Sequence, residues 1–68
     1  MLDEKLLADL LSVHGMTREE LASRLGLTLR DFDWKILSGT LGLREAEMII
    51  RELQVSNPER LFFPVKVT

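Results

Sequence analysis

Leucines at positions 6, 7, 10 and 11 recur at the spacing of one apolar helix face. The pattern predicts a helix over 3–14. Gly15 ends it by taking the left-handed conformation that closes a helix at little steric cost, and His14 precedes it where a cation favours the helix dipole. Thr17-Arg18-Glu19-Glu20 has the spacing of a capping box and opens a second helix. Leu21, Ala22 and Leu25 form its inward stripe, and Gly26 stops it. Thr28, three residues before Asp31, caps a third helix within "LTLRDFDWKIL", which ends at Ser38-Gly39. At about 100° per residue, Leu29, Phe32 and Ile36 fall on the core face of that helix. Arg30, Asp31 and Trp34 fall opposite, with Leu37 beside Arg30, and Lys35 is spaced to pair with Asp31 one turn earlier. Leu43, Ala46, Ile49, Ile50 and Leu53 repeat at helical spacing and predict a fourth helix. Asn57-Pro58 reads as a cap followed by proline, opening a fifth helix over 58–63. Pro64 closes it, and Val65-Lys66-Val67-Thr68 alternates as a strand does.

The fold class expected from these elements is all-α: one domain over 1–68, built as a compact bundle of about five short helices with a short extended tail at 64–68. At 68 residues, 46% hydrophobic and 29% charged, the chain has the composition of a small globular domain. With no cysteine, a disulfide framework and a thiolate metal site are excluded, so helix packing or a partner subunit must supply the stability. No apolar run approaches the roughly 20 residues that span a bilayer, and the acidic start Met1-Leu2-Asp3-Glu4 is unlike a signal peptide. A cytoplasmic location is expected, with no membrane partner.

Helix, Gly26-Leu27-Thr28, helix is the arrangement of a helix-turn-helix over about 17–38, with Ala22 small enough to let the two helices approach. An ordinary helical bundle has the same capped helices and short loops, and these features alone fit both equally. The stretch "MTREELASRLGLTLRDF" tips the balance. It resembles the repressor/Cro-type helix-turn-helix of the xenobiotic-response-element family through Met16, Thr17, Glu20, Leu21, Ala22, Leu25, Gly26, Leu27 and Thr28. The later "LREAEMIIRELQVSNPERLFF" is similar to the last helices of short phage-type members. The resemblance covers roughly residues 3–63 and implies a lambda-repressor-like fold and a DNA-binding transcriptional regulator of phage or mobile-element origin. Two features depart from the family pattern. "KILSGTLG" is one residue longer before Gly39 than is common, and Leu29, Arg30 and Asp31 stand where polar or basic residues are usual.

If double-stranded DNA is the partner, Arg30 is the natural base reader, because a guanidinium bonds guanine O6 and N7 together. Thr28 and the amides at the start of the third helix would hold a phosphate, with Arg18, Lys35 and Arg44 as further phosphate contacts. Thr17, Leu29, Asp31 and Trp34 complete the candidate DNA-binding set.

Charge gives this reading only weak support. The chain is −2 overall, and residues 17–44 carry five cations (Arg18, Arg24, Arg30, Lys35, Arg44) against four anions (Glu19, Glu20, Asp31, Asp33). Asp31 and Asp33 also bring negative charge toward a groove. The alternative is a protein-binding modulator, such as an antirepressor, using Arg30, Trp34 and Leu37, since tryptophan and arginine are enriched among interface hot spots. Phe62, Phe63, Val65 and Val67 form a candidate homodimer interface, and a two-fold dimer would match two DNA half-sites. Catalysis, a metal and a cofactor are not expected. His14 is the single histidine, Asp31 and Asp33 point in different directions at i, i+2, and no phosphate-binding glycine motif is present.

Overall fold

A computed structural model describes residues 2–64. It contains five helices: α1 (Glu4–Val13), α2 (Arg18–Arg24), α3 (Leu29–Ser38), α4 (Leu43–Leu53) and α5 (Pro58–Phe62), with no strand among the described residues. The all-α expectation holds, while the alternating segment at 65–68, with Val65 and Val67 of the candidate dimer interface, lies outside the described residues.

The caps read from sequence at Thr17 and Thr28 form, while Asn57, read as a cap for α5, makes no side-chain capping hydrogen bond. Asp3 Oδ1 accepts the Leu6 amide at 3.0 Å. Thr17 Oγ1 accepts the Glu20 amide at 3.0 Å, and Glu20 Oε1 accepts the Thr17 amide at 3.1 Å, completing the capping box. Thr28 Oγ1 accepts the Asp31 amide at 3.1 Å. At α4 the cap is half a box: Gly42 has no side chain, but its amide donates to Glu45 Oε1 at 2.9 Å.

The ends of α1, α2 and α3 share one geometry. Behind α2, the Leu27 amide reaches back to the Ala22 carbonyl at 2.9 Å and the Gly26 amide to that of Ser23 at 3.0 Å, with Gly26 at φ +76°. This is the paired closure that needs a left-handed residue, which glycine adopts without a Cβ penalty. The equivalent residue after α4 is Gln54 at φ +49°, the one non-glycine with positive φ among the described residues.

The core is a single cluster. Leu7, Leu21, Ala22, Phe32, Ile49, Leu53 and Leu61 have no exposed surface, and Leu2, Leu11 and Ile36 are also buried. Ala22 is wholly buried in this cluster, and Leu27 packs against it from the turn. The Asp3 amide donates to the Leu61 carbonyl at 2.8 Å, fastening the start of α1 to α5.

Two leucines assigned to inward faces are in fact exposed: Leu29 at 37% and Leu43 at 78%. Each is the first residue of its helix. Helical side chains lean toward the N-terminus, so a first-turn side chain reaches past the start of its own helix instead of lying over a preceding turn. A helical wheel carries no information about where the helix begins.

Candidate recognition face on α3

The turn at 25–28 and the Thr28 cap set α3 against α2, with Phe32 and Ile36 buried and the opposite side in solvent. Thr28, Arg30, Asp31, Asp33, Trp34 and Leu37 line one shallow recess on that outer side. Trp34 is 64% exposed and Leu37 75%. The structure thus brings together most of the α3 residues selected from sequence. The Thr28 hydroxyl oxygen is used by the Asp31 amide, which leaves its proton available to donate to a ligand oxygen.

The charged residues are arranged differently from the expectation. Lys35 does not pair with Asp31; its Nζ donates to Glu45 at 3.0 and 3.2 Å. The reason is packing: Glu45 is pinned at the start of α4 by the Gly42 amide, and the end of α3 brings the half-buried lysine to it. The Gly42 hydrogen bond and the nearby lysine hold the Glu45 carboxyl below its ordinary pKa, outweighing the opposing effect of burial.

Arg18, expected as a phosphate contact, donates to Asp33 Oδ1 through Nη2 at 2.7 Å and Nε at 3.1 Å. Sequence inspection missed this pair because the residues are fifteen apart and no local spacing signals the contact. Arg24 is likewise engaged, with Nη1 2.9 Å from Glu52 Oε1. Arg30 and Arg44 are exposed and make no ion pair among the described residues.

Of the candidate dimer residues, Phe62 is half-buried and Phe63 is 74% exposed. Both border an apolar groove with Leu2, Leu41, Leu43 and Ile50. Among the described residues, no helix is long and apolar enough to cross a membrane, and no group of three potential metal ligands occurs.

Comparison with protein-family models, curated proteins and solved structures finds no match to this chain.

Proposed function

We propose that this protein is a sequence-specific, double-stranded-DNA-binding transcriptional regulator of the repressor/Cro type, of phage or mobile-element origin, acting in the cytoplasm as a homodimer. The observation that carries the proposal is the state of charge on α3. Asp33, one of the two acids that argued against a DNA groove, is neutralised by Arg18, whereas Asp31 stays exposed; Arg30, on the same outer face, is exposed and has no carboxylate partner among the described residues. A helix set behind a glycine turn, capped by Thr28 and showing an arginine with no ion pair among the described residues, supports a guanidinium reaching a guanine edge. Exposed Phe63 and Leu43 beside the apolar groove favour a second copy as the dimer partner.

The test is selection from a random duplex DNA pool at low and near-physiological salt. Phosphate-driven association collapses with salt, whereas base readout persists as a site preference. An enriched inverted repeat is expected, and no enrichment at either salt would refute the proposal.

A second reading is favoured by a different observation, the exposure of Trp34 and Leu37 beside Arg30. An aromatic, an arginine and a leucine on one helix face suit an anchor in a protein partner's pocket. In that case the pool stays unenriched and a protein complex depends on Trp34.

A further inference from the structure

We propose that Arg18 is a positioning residue that orients α3 through Asp33 and makes no phosphate contact of its own, leaving ligand contact to Arg30. The inference rests on the DNA-binding reading and assigns a division of labour within it.

Arg18 is the first residue of α2, a place where a cation would ordinarily reach for the DNA backbone. Its guanidinium is instead held on three sides. Two of its nitrogens converge on Asp33 Oδ1 at 2.7 and 3.1 Å. Nη2 also lies 3.7 Å from Glu4 Oε1 on α1. The guanidinium carbon stands 5.5 Å from the centroid of the Phe32 ring, which is wholly buried. Phe32 and Asp33 are consecutive on α3, so one side chain grips that helix by an aromatic face and by the adjoining carboxylate. The Arg18 side chain is 32% exposed. With two carboxylates around one cation the local charge is −1, and a phosphate would have to displace one of them to reach Arg18. No carboxylate pairs with Arg30 among the described residues.

The two roles predict different salt dependences. The affinity for the selected duplex is measured across a salt series for the wild type, Arg18→Gln, Arg18→Lys and Asp33→Asn, with folding of each variant checked by circular dichroism. A phosphate contact contributes roughly 0.9 to the slope of log K against log salt. If Arg18 positions α3, Arg18→Gln weakens binding and loosens the site preference while the slope stays at the wild-type value. Arg18→Lys does the same, because an ammonium lacks the fork that engages ring and carboxylate together. Asp33→Asn releases the guanidinium and steepens the slope by up to roughly one contact. A slope that flattens by roughly one contact in Arg18→Gln and is restored in Arg18→Lys overturns the proposal.

Should the wild type enrich no duplex, the DNA reading has failed, and the clamp is judged on the protein alone from the NMR signals of the arginine Nε–H groups. Slower solvent exchange at Arg18 than at Arg30, lost in Asp33→Asn, sustains the clamp. Equal exchange at the two arginines in the wild type removes it.

Discussion

Lys35 Nζ stands 3.0 Å from Glu45 Oε2, joining the last turn of α3 to the first turn of α4. The same carboxylate accepts the Gly42 amide, so one side chain both caps α4 and holds it to α3. Its lowered pKa sets a pH dependence with a definite sign. A depressed carboxyl stabilises the fold above its ordinary value near 4.5, and that contribution is lost as pH falls through the folded-state value. Urea midpoints measured from pH 7 down to pH 3 should show a smaller acid loss for Glu45→Gln than for the wild type. At neutral pH the variant, which keeps an acceptor for Gly42, should lose about 0.5–1 kcal/mol. An identical acid profile in the two proteins would count against this role.

Gln54 is expected to be suboptimal where it stands. Its φ of +49° is one an L side chain adopts at a penalty of roughly 1–2 kcal/mol, while glycine loses about 0.5–1 kcal/mol in chain entropy. Gln54→Gly should therefore stabilise the protein by about 0.5–1 kcal/mol, a rise of roughly 2–8 °C for a domain of this size. A lower melting temperature would show that the Gln54 side chain makes a compensating interaction.

Two aromatics two residues apart on α3 should behave oppositely. Phe32 has no exposed surface and Trp34 is 64% exposed. Phe32→Ala should cost about 3–5 kcal/mol, a large part of the total stability of a small domain. Trp34→Ala should change stability by less than about 0.5 kcal/mol. Equal losses in chemical denaturation would contradict the placement of α3. Under the protein-binding reading, Trp34→Ala should nevertheless abolish the complex.

Under the DNA-binding reading, Arg30→Ala should leave folding intact and relax selection at one base position by about 1–3 kcal/mol. The check is the selected-site profile of the variant beside that of the wild type. An unchanged profile would remove Arg30 from base reading.

Local physics was legible in the residue order. Capping hydroxyls at Thr17 and Thr28, glycines at positions that turn left-handed, and leucines at helical spacing act over one or two turns, and each produced the element expected of it. The outer face of α3, with Arg30, Trp34 and Leu37, followed from the same periodicity. Helix ends were less legible, since an apolar stripe assigns Leu29 and Leu43 to a core that their first-turn positions do not reach. Gln54 carried no signal at all, because glycine and, less often, asparagine are the residues that announce a left-handed closure in a sequence. The ion pairs were decided by packing alone. Asp31 and Lys35 have the spacing of a helix-surface pair, yet the chain's path past Gly42 brings a pinned, half-buried carboxylate to Lys35. Arg18 and Asp33 meet only because α2 and α3 cross. Coulomb attraction depends on distance in space, and a sequence specifies that distance only where a single helix or turn sets it. The sequence by itself therefore determined the helices, the caps at Thr17 and Thr28 and the outward face of α3, while the tertiary structure decided which charges on that face are neutralised and which remain to meet a partner.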